Sequence, residues 1–70
     1  MTFAGAILKL RSERRLSQAQ LAKELGVSYT SVNRWENGRS LPTKMMLLVI
    51  RRYCEEHHLE FSCEELGRLS

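Results

Sequence analysis

Helix starts and helix stops alternate so closely along residues 17–38 that the chain has room there only for short helices joined by tight turns. Ser17-Gln18-Ala19-Gln20 has the form of a capping box. The Ser17 hydroxyl can accept from the amide of Gln20, whose side chain can reach back to the amide of Ser17. Leu16, just outside, can staple onto Leu21. Leu21, Ala22 and Leu25 then form an inward stripe, and Gly26 follows it directly. Glycine takes the left-handed conformation that ends a helix and turns the chain sharply. Val27 plugs that turn, and Ser28 caps a further helix from Tyr29 to about Glu36. Asn37-Gly38 is the next stop.

The flanks read as helices too. Phe3 to Arg14 contains no proline, and Phe3, Ile7, Leu8 and Leu10 or Arg11 fall at the spacings of a helix face. Thr2 is the expected N-cap. After the basic loop Arg39-Ser40 and Leu41-Pro42, Thr43 is expected to cap a helix from Lys44 to about His57, rich in Met45, Met46, Leu47, Leu48, Val49 and Ile50. Ser62-Cys63-Glu64-Glu65 resembles another capping box and predicts a short fifth helix, Cys63 to Leu69. No strand-like alternation persists, and there is no internal repeat. The fold class is all-α, a compact domain of four to five helices.

With 70 residues, 43% of them hydrophobic, one small core is all the chain can build. Such a core supplies roughly 3 to 5 kcal/mol, which argues against an elaborate enzyme with a sheltered pocket. The longest uncharged apolar run, Met45 to Ile50, is far short of the ~20 residues of a membrane helix, and no signal peptide opens the chain. A soluble, cytoplasmic domain without membrane contact is expected. The net charge of +3 is unevenly placed. Residues 1–54 carry ten lysines and arginines against three glutamates, a net of +7, whereas residues 55–70 carry Arg68 against five glutamates, a net of −4. A basic body with an acidic tail suggests a polyanionic partner.

The stretch QAQLAKELGVSYTSVNRWEN, residues 18–37, sharpens that suggestion. Ala22 is small where a second helix must cross closely, Gly26 supplies the turn, and Leu21, Leu25, Val27, Val32 and Trp35 are placed to bury two inner faces. This is the layout of a helix-turn-helix, whose second helix enters the DNA major groove. The run Leu16-Ser17-Gln18-x-x-Leu21-Ala22-x-x-Leu25-Gly26-Val27-Ser28, continued by Val32-Asn33-Arg34-Trp35-Glu36-Asn37-Gly38-Arg39 and Pro42, resembles the XRE/Cro/C1 family. It is similar to the lambda repressor-like DNA-binding domain over about residues 3–50. The resemblance implies a transcriptional regulator, a repressor by the family's commonest habit, whose partner is double-stranded DNA.

Within the second helix of that motif, Val32, Trp35 and Glu36 share the inward face, while Tyr29, Thr30, Asn33, Arg34 and Asn37 share the outer one. Arg34 suits a bidentate pair with guanine, Asn33 one with adenine, and the Thr30 methyl a thymine methyl; Tyr29 offers a ring and a hydroxyl. The family carries its base contacts at these positions. Phosphate contacts are expected from Gln18, as for the matching glutamine of related repressors, and from Ser28, Asn37, Arg39, Ser40 and Lys44 around the helix. The resemblance further implies an ion pair between Arg11 and Glu36, with Arg11 near a phosphate.

The resemblance fades toward the C-terminus. Residues 1–58 are expected to form the helix-turn-helix domain and residues 59–70 a short acidic helical extension. Cys54, His57, His58 and Cys63 invite a zinc reading, but Cys-x2-His-His-x4-Cys matches no common finger, and buried cysteines usually act as small hydrophobes. No metal and no cofactor is therefore expected. There is no aspartate in the chain and no catalytic constellation, so it is not expected to be an enzyme. A homodimer on a two-fold operator is expected, as a stand-alone small regulator or the DNA-binding antitoxin of a toxin pair. The alternative is a module that docks a protein partner without reading DNA; it calls for an apolar outer face on that helix, where the sequence has Thr30, Asn33 and Arg34.

Overall fold

Thr2, Ser17, Ser28 and Thr43 each open a helix by the same device. The side-chain oxygen of each accepts from the backbone amide three residues on, at 3.1 to 3.2 Å, in Gly5, Gln20, Ser31 and Met46 respectively. At Ser17 the box closes, because Gln20 Oε1 also accepts from the Ser17 amide at 2.8 Å. The resulting elements in the computed structural model are α1 (Phe3–Arg14), α2 (Gln18–Leu25), α3 (Tyr29–Glu36) and α4 (Lys44–Glu56). The structure describes residues 2–63, and no strand occurs among them. The fifth helix expected from the sequence lies outside the described residues, apart from Cys63, which is not helical.

The four helices also end alike. Each is followed by one residue in the left-handed region: Arg15 (φ 55°), Gly26 (φ 76°), Gly38 (φ 69°) and His58 (φ 55°). Its amide, and that of the residue after it, bond back to the last turn, as in Gly26 to Lys23 O and Val27 to Ala22 O. The pairs Arg15–Ser12 and Leu16–Arg11, Gly38–Trp35 and Arg39–Arg34, and His58–Glu55 and Leu59–Cys54 repeat the pattern. These are Schellman closures, which satisfy carbonyls the helix itself leaves open. Leu16, Val27 and Leu59 stand just past three of the turns and pack onto the core, the hydrophobic contact that accompanies such closures.

Two-turn helices are marginal alone in water, so burial must hold them. Phe3, Ile7 and Leu10 of α1, Leu21, Ala22 and Leu25 of α2, Val32 and Trp35 of α3, and Leu47, Ile50, Tyr53 and Cys54 of α4 form one cluster. Phe3 meets Trp35 edge to face, with centroids 5.6 Å apart and planes at 76°. Phe61 reaches Phe3 in the same way at 6.3 Å, so the irregular segment 59–63 is docked on the core through Leu59, Phe61 and Cys63. Ala6 takes a buried place on α1, whereas Leu8 is half in solvent, because the buried arc of α1 is narrower than its apolar content suggests. On α4, likewise, Met45, Leu48 and Val49 face outward.

A Cβ placed on Gly26 would meet no neighbour within 4 Å, so the cost of Gly26→Ala is purely that of the left-handed backbone. Gly26→Ala is expected to lose about 1 kcal/mol, read as a lowered midpoint in urea with an unchanged slope.

Candidate nucleic-acid interface

Helix α3 is held from behind in two ways. Val32 and Trp35 are buried in the core, and one turn of polar chemistry pins its end to α1. Arg11 and Glu36 form a two-pronged pair, Nε to Oε2 at 2.7 Å and an Nη to Oε1 at 2.9 Å, while the other Nη of Arg11 donates to the Leu16 carbonyl at 3.1 Å. Only 7% of the Glu36 side chain and 23% of that of Arg11 remain exposed. Burial by itself would raise the Glu36 carboxyl, but the hydrogen bonds from Arg11 and Gln18 and the charge of Arg11 outweigh it and hold the group below its usual range. The same pair raises the Arg11 guanidinium further above its already high value.

Because Glu36 is ionised it can only accept, and that fixes the direction of a chain of amides running away from it. Gln18 must turn its amide nitrogen to Glu36 Oε1, which it does at 3.1 Å. Its oxygen therefore faces Asn33, whose Nδ2 donates to it at 3.2 Å. The Asn33 oxygen in turn accepts from Asn37 Nδ2 at 3.2 Å, and the same nitrogen lies 2.9 Å from the Asn33 carbonyl. The first residue of α2 is thereby connected to the middle and the end of α3. Each amide of Gln18 and Asn33 keeps one N–H uncommitted in this chain.

The expected site residues fall into two groups. Tyr29, Thr30 and Arg34 stand exposed on the outer face of α3, and Arg34 has no ion-pair partner among the described residues. Arg39 and Lys44 are exposed and Ser40 half-buried in and just beyond the loop leaving α3. The other expected contacts are already engaged. Asn33 is half-buried against Gln18, so it stands behind the exposed set and not in line with it. Ser28 Oγ caps α3 and lies 3.1 Å from Ser31 Oγ. Asn37 turns its nitrogen inward to Asn33, which leaves an oxygen to spare, and an oxygen has nothing to offer a phosphate. Arg11 has three of its five N–H groups committed.

A second clasp behind the site had no signal in the sequence. Tyr53 on α4 donates to Glu24 Oε1 on α2 at 2.6 Å and accepts from Arg14 Nε on α1 at 2.9 Å, and Arg14 also reaches Glu24 at 3.2 Å. These partners lie 10 to 39 residues apart along the chain, so no local pattern announces them. The hydrogen bond from Tyr53 leads in lowering the Glu24 carboxyl. His57 packs its ring on Tyr53 at 4.3 Å. Cys54 is buried, and burial pushes its thiol up to about 11. Among the described residues no three of His, Cys, Asp or Glu come together in a group able to hold a metal, so Cys54, His57, His58 and Cys63 do not assemble as a zinc reading would need.

A recognition helix with a polar exposed face, pinned across a glycine turn to its partner helix, is the working part of a helix-turn-helix. The family model for helix-turn-helix domains matches residues 7–61. The chain belongs to that family, in its XRE/Cro/C1 branch. It is 36% identical over 53 residues to the HTH-type transcriptional activator BcrR of Enterococcus faecalis, a stretch that covers 76% of this chain and 26% of that protein. The chain thus corresponds to about a quarter of that relative's length. No solved structure gives a significant match. A DNA-binding domain of transcription regulation is what family and relative support, and both point away from an enzyme. No helix among the described residues is long and apolar enough to cross a membrane.

Truncating one member of the ion pair leaves the other buried and alone. Arg11→Ala is expected to cost about 3 kcal/mol, measured by chemical denaturation, whereas removing both charges together in an Arg11→Met, Glu36→Leu double variant should cost clearly less. Since the folded Glu36 carboxyl titrates below its unfolded value, its contribution is complete above the ordinary glutamate range and disappears as pH falls through the lowered value. In a melting series, Glu36→Gln should flatten that acid limb.

Proposed function

We propose that the chain reads a specific double-stranded DNA sequence through the outer face of α3 and regulates transcription by occupying it, as a repressor. The observation that carries this reading is the contrast along α3 itself: one side is buried and pinned, while Tyr29, Thr30 and Arg34 are left in solvent without being needed by the fold. Arg34 spans O6 and N7 of a guanine, Thr30 meets a thymine methyl, and Tyr29 contributes ring and hydroxyl. Asn33 joins them through the N–H and lone pair that the amide chain leaves free. Gln18 donates its remaining N–H to a phosphate, with Arg39, Ser40, Lys44 and the uncommitted N–H groups of Arg11 gripping the backbone. Ser28 and Asn37 hold the two ends of α3 instead.

The reading unit is placed in residues 1–58, with residues 59–70 as an acidic extension, and no enzymatic step, metal or cofactor is assigned to it. A two-turn recognition helix covers few base pairs, which favours a homodimer on a two-fold operator in the cytoplasm. The relative is an activator, but the match reaches only a quarter of it, so its name does not decide between repression and activation here. Occlusion of a promoter needs no surface beyond the DNA-binding one, which favours repression. An antitoxin role would add a cognate toxin on another face.

Selection of bound duplexes from a random pool, followed by titration at several salt concentrations, tests the reading. Arg34→Ala should weaken the best site by ~1 to 3 kcal/mol and flatten preference at one base-pair position per half-site. Arg39→Ala should weaken good and poor sites alike and lower the salt slope by ~1, whereas Gln18→Ala, which also removes the bonds to Glu36 and Asn33, should weaken binding and leave that slope unchanged. Full discrimination retained at every position by Arg34→Ala would remove Arg34 from the reading set. A reporter fused to the selected site, with and without the chain, gives the sign of regulation.

A further inference from the structure

Thr30 and Arg34 stand one turn apart on the exposed face of α3. Long side chains on a helix lean toward its N-terminus, so the stem of Arg34 inclines over the turn that carries Thr30. The fold does not use either group. Arg34 has no ion-pair partner among the described residues, and Glu36, the one acid on α3, is tied to Arg11. Asn33, the neighbour of Arg34, is drawn back to Gln18 at 3.2 Å. The outer face thus offers a methyl group and a planar cation side by side.

We propose that Thr30 and Arg34 together seat the methyl group of a pyrimidine, so that the base on the 5′ side of the guanine held by Arg34 is thymine, and that 5-methylcytosine takes its place equally well. The proposal rests on the DNA reading above and deepens it. It names the base step that is read, and it makes cytosine methylation a signal to which the domain responds.

The shape of the major groove supports this pairing. A guanidinium bonded to O6 and N7 of a guanine lies near the plane of that base. The C5 substituent of the preceding pyrimidine on the same strand projects into the groove above that plane, against the flat face of the cation. A guanidinium is weakly hydrated and accepts a group stacked on its face, whereas a lysine ammonium is a compact, strongly hydrated charge that does not. The Thr30 methyl closes the seat from the neighbouring turn, apolar against apolar. Cytosine leaves the seat empty. Thymine and 5-methylcytosine fill it with the same methyl at the same ring position, although their pairing partners differ. Four bases therefore fall into two pairs, thymine with uracil and 5-methylcytosine with cytosine, and the members of each pair differ by one methyl.

The test starts from duplexes selected out of a random pool by the full chain. The position at which Arg34→Ala loses its preference locates the guanine. The base on its 5′ side is then set to thymine, uracil, cytosine or 5-methylcytosine in otherwise identical duplexes. Thymine should bind about fourfold tighter than uracil, and 5-methylcytosine about fourfold tighter than cytosine, the worth of one buried methyl. Arg34→Lys should erase both differences. Thr30→Ser, which removes the Thr30 methyl and keeps the hydroxyl, should reduce both, and neither variant should change the helical circular dichroism. Equal binding within either pair by the wild-type chain overturns the proposal and leaves the DNA reading standing. So does a methyl effect that both variants retain in full, which would put the seat elsewhere on the domain. If no duplex is selected over random sequence, the DNA reading itself falls, and the proposal with it.

Discussion

Glu36 governs the orientation of every polar group that connects the two helices of the motif. Its carboxylate is almost fully buried, so it must be compensated, and Arg11 supplies two parallel bonds from another helix. Isolated, such a pair contributes little net stability, because desolvation offsets attraction. Its effect here is directional. An acceptor at one end of an amide chain leaves a single consistent arrangement for Gln18, Asn33 and Asn37, whereas a neutral residue at position 36 would admit several. Helix α3 is therefore fixed in rotation as well as in place, the condition that any readout of base edges in a major groove requires.

The Schellman closures bring a second constraint that acts through the backbone. Helices of eight residues can pack at large angles only if the chain turns within two or three residues, and a left-handed residue accomplishes that in one. Following each of three such turns by an apolar residue converts the reversal into core contact. Tyr53, Arg14 and Glu24 then join the far ends of α1, α2 and α4, so that α3 rests on a frame closed at both ends.

Most of this frame is legible in the sequence because its signals are local. Caps at Ser17, Ser28 and Thr43, stops at Gly26 and Gly38, and the stripe Leu21, Ala22, Leu25 are all written within four residues of what they control. Arg15 and His58 play the same part as the glycines and carry no such mark; tertiary packing imposes the left-handed conformation on residues that tolerate it at a cost. Burial along α4 is equally silent, since an apolar run of six residues goes all the way round a helix and cannot say which side meets the core. At the site, the family resemblance gave the Arg11–Glu36 pair, but neither it nor the sequence pattern gave the amide chain that runs from Glu36 through Gln18 and Asn33 to Asn37. Asn33 and Arg34 are neighbours on the same helix, yet only one has a partner within reach, because Gln18 arrives from fifteen residues away.

The charge distribution acquires a physical meaning once the pairs are known. Of the three glutamates in the first 54 residues, Glu36 is tied to Arg11 and Glu24 to Arg14. Two acids and two bases are thus withdrawn from the surface field. Arg34, Arg39 and Lys44 are all exposed and have no ion-pair partner among the described residues. They lie along α3, the loop beyond it and the start of α4, whereas Lys9, Arg15, Lys23, Arg51 and Arg52 are exposed on other parts of the domain and Glu55 and Glu56 stand at the far end of α4. A chain of modest net charge thereby keeps most of its cations at the surface, a field that attracts a polyanion from several sides of the domain.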